Sequence, residues 1–540
     1  MNKIFLITAS LITVVALTFS LSGCGSKTPP SNSSSKPAST RTADQAPASV
    51  DIKGKYNNGS MWAKVGPIYR QEDGTSVLAL AAGYSKEVTG WPANTNVGQA
   101  ITSVNNTEQI AYSGIFMLND SEVFEPLRMK DNQVAWVPQD AKLKKEQMHS
   151  FKEQQKGELK ESVLVPFGDI GEGTKAAGVS VGLIGFAANV PVLDSAQAPQ
   201  KVQEALGKIP QDAEVNIHAP YTQYTMTPGM GISSGKENLN VTLAADVFFD
   251  SGKWDIKADS KSVLDQAAAA LATHEPGEVT IVGHTDDVPD KNVGNQVLSE
   301  NRANAVKAVL AGKSELSGFT FKASGKAATQ PAVPGTTPEA RAKNRRVEVS
   351  IKTPVKKEVA ELQAASAKMP AAVGSESTWP AAVAYDADTT GTKPVTMEIS
   401  ASEAIAYPNY TLVTFTVTAK DVPIWFTRLQ FEANYHGTPN GANKFYGADI
   451  LRGQARTAPL EYARPLQGGT KQAVITGGGV HGTGTDIKPG YKLTIPVLYP
   501  PTKDQTLTID ATFHNPLANK KDLGWRIKDI PVKPATTGGK

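Results

Sequence analysis

A single cysteine in 540 residues excludes an internal disulfide framework and any cysteine-cluster metal site. The seven histidines include no pair at the i, i+4 spacing of a helical zinc site, so no resident metal and no cofactor is expected. Neither sign of charge dominates: 55 Lys and Arg face 52 Asp and Glu. That leaves no basic surface for nucleic acid and no acidic tail. Beyond the amino-terminal segment, no apolar run is long enough to span a bilayer. Turn chemistry is what the chain has in quantity. With 46 Gly, 35 Pro and only 20% charged residues, the composition suits turn-rich β domains joined by linkers. At 540 residues it is too long for one core, and roughly three or four domains are expected.

Lys3 is a short positive region, and Ile4 to Phe19 is an apolar run followed at once by Leu21-Ser22-Gly23-Cys24. Residues 1–23 therefore read as a secretory signal. The string resembles the lipobox of bacterial lipoproteins. That resemblance implies removal of 1–23 and acylation of Cys24, by chains such as palmitate, on the extracytoplasmic side of a membrane. Residues 24–52 read as a flexible linker: positions 25–50 hold seven Ser, three Thr and four Pro with no aromatic residue. A coil of that length reaches about 30 Å root-mean-square.

Residues 53–194 show short apolar or alternating runs, such as Ser76–Leu80, Ala111–Met117 and Ala177–Ile184, separated by Asn, Asp and Gly clusters. They predict a β-sandwich-like domain. Residues 142–162 are charge-rich and fit a solvated helix or long loop. Residues 195–236 read as a connector. Residues 353–394, rich in Ala, Pro, Thr and Lys, read as a linker with one helix near 356–369. Residues 395–534 return to alternating patterns, best at Leu412–Thr418, Lys492–Val497 and Leu507–Phe513. They predict a second β-sandwich-like domain. Glu461-Tyr462-Ala463-Arg464-Pro465-Leu466 echoes Glu122-Val123-Phe124-Glu125-Pro126-Leu127, by repetition or by coincidence.

The period changes in residues 237–352. Strands at Val241–Phe249, Val279–Val282, Phe319–Phe321 and Val347–Ile351 alternate with helical spacing over Ile256–His274 and Asn295–Ala311. This β-α-β-α-β-β order predicts an α/β sandwich with helices on one sheet face. On a wheel of about 100° per residue, Asn295, Leu298, Ser299, Arg302, Val306 and Val309 share one face. A guanidinium on that apolar face demands an anion. Asp286, at the end of Gly283-His284-Thr285-Asp286, is the natural counter-charge, as a plain core ion pair or as something more. His284 reads as a packed or turn histidine.

The segment resembles an OmpA-like peptidoglycan-binding domain. Its motifs stand here as Val247–Gly252, Val282–Asp286, Asn295–Ala303 and Arg341–Val349, in the family's order and spacing. The resemblance covers about a fifth of the chain. It implies that Asp286 takes the ammonium and Arg302 the carboxylate of diaminopimelate in the peptide stem, with Thr285, Asn295 and Arg346 near the ligand. Departures from the family lie in the loops. Ala323-Ser324-Gly325 replaces a Gly-x-Gly turn, Gly335 and Ala340 replace Asn and Gly, and the insert 287–294 is long. The resemblance implies a non-enzymatic lipoprotein of the cell envelope that tethers membrane to peptidoglycan.

The alternative is a wall-anchored adhesin or substrate-binding protein whose β domains take a protein or glycan partner. An exposed aromatic row at Trp425, Tyr435, Phe445 and Tyr446 would favour it. An enzyme is the weakest reading. Two Gly-x-Ser-x-Gly strings, at 178–182 and 231–235, lack the strand-then-helix context of a nucleophile elbow. Asp286 and Asp287 are adjacent and would point apart on a strand, a poor glycosidase pair.

Overall fold

Four strands organise the middle of the chain: Leu239–Ala244, Glu278–Gly283, Thr320–Gly325 and Arg346–Ile351. The last in sequence lies centrally, antiparallel to Leu239–Ala244 on one side and to Glu278–Gly283 on the other. Thr320–Gly325 completes the edge, parallel to Glu278–Gly283. Period-two alternation sends Val241, Leu243, Val279, Ile281, Val347, Val349 and Ile351 to one face, where all are buried. Against that face pack the helices Lys261–Leu271 and Asn295–Ala311, through Leu264, Ala267, Ala268, Leu271, Ala303, Val306 and Leu310. This is the expected α/β sandwich. One detail differs: the first strand stops at Ala244, and Ala245–Phe248 forms a helical turn that buries Phe248.

The structure, a computed structural model, describes residues 49–57, 59–84, 115–120, 122–130, 135–139, 163–182, 184–227, 229–356, 368–386, 396–420, 424–425, 448–465, 471–475, 486–487, 489–513 and 523–535. The signal and lipobox, Cys24, nearly all of the 24–52 linker and the charge-rich 142–162 lie outside these residues. So do Tyr435, Phe445, Tyr446 and most of the helix expected at 356–369. No helix of the described residues is long and apolar enough to cross a membrane.

The flanking β segments depart from the expectation of two separate sandwiches. Their strands share one core, in which Met61, Phe124 and Phe167 lie in the same cluster as Phe415, Tyr499 and Trp525. Val50–Asn57 pairs with Gly59–Arg70 and, at Tyr56 and Asn57, with Lys492–Tyr499. An alternating strand has one apolar face to bury, and each half offers the other that cover. Residues 195–236 and 353–394 are likewise more than connector and linker. Glu214–His218 pairs with Val123–Arg128, Pro220–Thr227 with Ala455–Pro465, and Met230–Gly235 with Leu239–Ala244. Ser375–Thr378 lies parallel to Leu523–Pro534, and Val383–Asp386 pairs with Thr396–Ala401. Residues 123–127 and 461–465 of the two echoing strings thus lie on strands that the 214–227 segment joins. Tyr462 donates to Glu125 Oε1 at 2.9 Å, and the Tyr462 ring stacks on His218 at 4.9 Å.

Close approach sets where the middle helices lie. A Cβ on Gly283 would fall 2.0 Å from the Ser299 carbonyl oxygen, and one on Gly325 would fall 2.3 Å from Ser299 Oγ. The two strand ends must therefore be glycine for the Asn295–Ala311 helix to rest on them. Gly325 is the glycine kept in Ala323-Ser324-Gly325, which ends the strand Thr320–Gly325 and is not the turn expected there.

Candidate functional site

The loops leaving the carboxyl ends of the central strands meet the amino-terminal half of the Asn295–Ala311 helix around a cleft of about 640 Å³. Asp286, Arg302, Thr285 and Asn295 all line it. Asp286 and Arg302 are both nearly buried, at 8% and 4% exposure. They do not pair with each other as the wheel argument expected. Among the described residues no carboxylate lies within ion-pair distance of Arg302.

Main-chain oxygens hold Arg302 instead. Its Nε donates to the Lys253 carbonyl at 2.9 Å and its Nη2 to that of Asp250 at 3.3 Å. Its guanidinium carbon lies 5.2 Å from the centre of the Phe249 ring. The Asp250–Lys253 turn that presents these oxygens needs Gly252, whose φ is +68°. Burial pulls the Arg302 pKa below its ordinary value, a pull opposed by Asp246 and reinforced by Arg345. The result is a buried cation with neutral partners, in a cleft that carboxylates approach without neutralising it.

The partner of Asp286 is Arg345. Nη1 of Arg345 donates to Asp286 Oδ2 at 2.6 Å, while Asp286 Oδ1 accepts from Val288 N at 3.1 Å. The same guanidinium grips Asp246 with two bonds, Nε to Oδ1 at 2.8 Å and Nη2 to Oδ2 at 2.6 Å. This fork, the strongest of such arrangements, holds Asp246 below the usual carboxylate range and Arg345 above the usual guanidinium one.

Asn295 shapes the loop more than it faces outward. Its side chain accepts from Asp290 N at 2.8 Å and donates to the carbonyls of Asp286 and Val288 at 3.2 and 3.0 Å. Thr285 is anchored by its own N–H, which donates to the Ala327 carbonyl at 3.0 Å, and by Oγ1, which donates to the Asp286 carbonyl at 3.0 Å. Asp287 is taken by a fork from Arg341 at 2.7 and 2.8 Å.

Arg346 does not line the cleft. It opens the central strand on the face away from the helices, donating to Glu348 Oε1 at 2.7 Å and to the Gln330 carbonyl at 3.1 Å. Of the two neighbouring arginines it is Arg345, the residue just before the strand, that lines the cleft. Arg345 and Asp246 are the two residues that sequence reasoning missed. A signal for Arg345 was available in its parity with the inward-facing Val347, Val349 and Ile351.

The Ser-containing strings carry no elbow: Gly178 and Ser180 lie within the strand Ala176–Val181, and Gly231 to Gly235 within Met230–Gly235. No group of three or more metal-ligating side chains occurs among the described residues.

Residues 248–345 match the OmpA family. They form an OmpA-like domain. Motility protein B of Bacillus subtilis is 36% identical over 118 residues, 21% of this chain and 45% of that protein. Outer membrane porin F of Pseudomonas aeruginosa is 35% identical over 116 residues, 22% of this chain and 33% of that one. The chain thus spans less than half of either relative. Among solved structures, the cell wall anchor of the T6SS from Pseudomonas aeruginosa aligns at 26% identity over 23% of this chain and 88% of its own, with a TM-score of 0.21.

His284, just before the cleft, makes the stability of the OmpA-like domain depend on pH. It is 2% exposed, and neither ring nitrogen has a hydrogen-bond partner in the protein. Burial first, then the cation of Arg346, pulls its pKa down to about 4, against the opposing Glu348 at 3.8 Å. The folded state therefore refuses a proton that the unfolded chain accepts near pH 6.5. The associated stability is present above about pH 6.5 and is lost as pH falls towards 4, on the order of 3 kcal/mol in all. Thermal unfolding at pH 7.5 and 4.5 should show this loss, and His284→Gln should reduce it; an equally steep fall in the variant would assign it elsewhere.

Proposed function

We propose that this chain is a non-enzymatic lipoprotein of the cell envelope. In this reading Cys24 carries the lipid, residues 24–52 give reach, and the OmpA-like unit, with boundaries 237–352, binds diaminopimelate-type peptidoglycan stems without a covalent bond. The observation that carries the proposal is the cleft itself. It brings the buried, carboxylate-free Arg302 and the buried Asp286 into one concavity of an OmpA-like domain. A ligand carboxylate compensates Arg302, and a ligand ammonium docks at Asp286. Thr285 and Asn295 fix the loop that presents Asp286, and Arg346 braces the Gln330 segment from the opposite sheet face.

Magnitudes favour a reversible tether. A few charge-assisted bonds contribute about 1.5–3 kcal/mol each. Association costs about 4 kcal/mol or more, which leaves millimolar to micromolar affinity per stem. A lipid anchor facing a polymer of repeated stems raises the effective concentration, so weak sites suffice. Titration calorimetry of the lipid-free chain with a diaminopimelate tetrapeptide stem tests the assignment. Asp286→Asn should weaken binding by about ten- to a hundredfold, the scale of one or two such bonds. Unaltered affinity in that variant would remove Asp286 from the site.

A further inference from the structure

We propose that Arg345 is a specificity-determining residue, the one that makes the cleft prefer a zwitterion to a simple amine. This rests on the stem-binding reading above and concerns how the same site discriminates. Arg345 occupies Oδ2 of Asp286, and Val288 N occupies Oδ1, so an incoming ammonium meets a carboxylate whose charge is matched. Arg345 is not free to leave, because its other two donors are forked onto Asp246.

The charges lining the cleft balance. Asp246, Asp250, Asp286 and Asp290, with Asp287 on Arg341, face Lys257, Arg302, Arg341 and Arg345, with Lys253 beside Asp250. A zwitterion leaves that balance intact, since its carboxylate goes to Arg302 while its ammonium shares Asp286 with Arg345. A lone ammonium adds an uncompensated positive charge beside two guanidiniums. Discrimination by a misplaced charge is a repulsive element built into the site. Without Arg345, Asp286 would stand as an unmatched carboxylate, and simple amines would gain more than zwitterions.

Three tetrapeptide stems read this directly. They carry at the third position diaminopimelate, diaminopimelate with its side-chain carboxyl amidated, or lysine; only the first offers a free zwitterion. Calorimetry on the full lipid-free chain gives the affinity ratio of the first stem to the other two. In Arg345→Gln that ratio should fall about tenfold, the equivalent of one charge-assisted contact. Arg345→Lys, which keeps the charge and loses the fork, should fall between. Arg345→Met, a second uncharged replacement that keeps the aliphatic stem, should give the same fall, so the test stands even where Arg345→Gln folds poorly. Parallel weakening towards all three stems, with the ratio unchanged in every variant, would overturn the inference and leave Arg345 a structural brace. A wild-type chain that binds none of the stems would instead overturn the stem-binding reading, and this inference with it.

Discussion

Arg302→Ala should lower the affinity for a diaminopimelate stem by about a hundredfold or more. Among the described residues the guanidinium is the only buried cationic donor lining the cleft without a carboxylate of its own; in the proposed clamp it takes the ligand carboxylate, and a two-bond charge-assisted contact contributes about 3 kcal/mol. The variant should also lose some stability. Lys253 O loses its Arg302 donor, whereas Asp250 O keeps the Lys253 N–H at 3.0 Å. Lys253 is exposed at this turn, so water can replace that donor and the loss should stay at or below about 1 kcal/mol. Arg302→Lys separates the two effects: it keeps a charge near the same carbonyls and loses the planar fork, so binding should fall further than stability does. Calorimetry and thermal unfolding on both variants check this. Full-strength binding by Arg302→Ala would mean that the ligand carboxylate goes elsewhere.

Gly283→Ala should be the most damaging single methyl group in the OmpA-like domain. Its Cβ would lie 2.0 Å from the Ser299 carbonyl oxygen and 2.9 Å from the carbonyl carbon. The obstacle is helix backbone, not the flexible end of a side chain, so relief requires moving the whole Asn295–Ala311 helix. The strand cannot yield either, being paired with Thr320–Gly325 and Arg346–Ile351. Overpacking commonly costs 1–3 kcal/mol, and this case belongs at the top of that range or beyond, about 3 kcal/mol. Thermal unfolding and limited proteolysis within residues 237–352 would report it. Because the displaced helix carries Arg302, stem binding should fail together with stability. An unaltered melting transition would show that the helix lies further from the strand.

The site was legible where it rests on local periodicity. The 3.6-residue period put Arg302 on the inward face of its helix, and it is buried there. The string His284-Thr285-Asp286 follows a strand end and delivers Asp286 to the cleft. What failed was the pairing of charges, which depends on where loops fold back. Asp286 turned to Arg345, 59 positions away, and Arg302 to main-chain oxygens of a turn some 50 positions away. Carbonyl acceptors leave no mark in a side-chain sequence.

The same limit applies to the fold. The middle domain's strands, alternating and flanked by helical periods, were visible. Ser375-Glu376-Ser377-Thr378 was not, because that polar run becomes a strand only through its parallel partner Trp525–Lys528. Likewise, the sharing of one core by the 53–194 and 395–534 segments is a property of their apolar faces meeting. Alternation announces such a face without naming what covers it.

We propose that this chain holds peptidoglycan through a zwitterion clamp in its OmpA-like domain. The most direct test is co-sedimentation of the lipid-free chain with purified diaminopimelate-containing sacculi, with and without free diaminopimelate as competitor. The protein should pellet with the sacculi, and the competitor should release it in a dose-dependent way. Protein that stays in the supernatant, or that pellets regardless of competitor, would contradict the proposal.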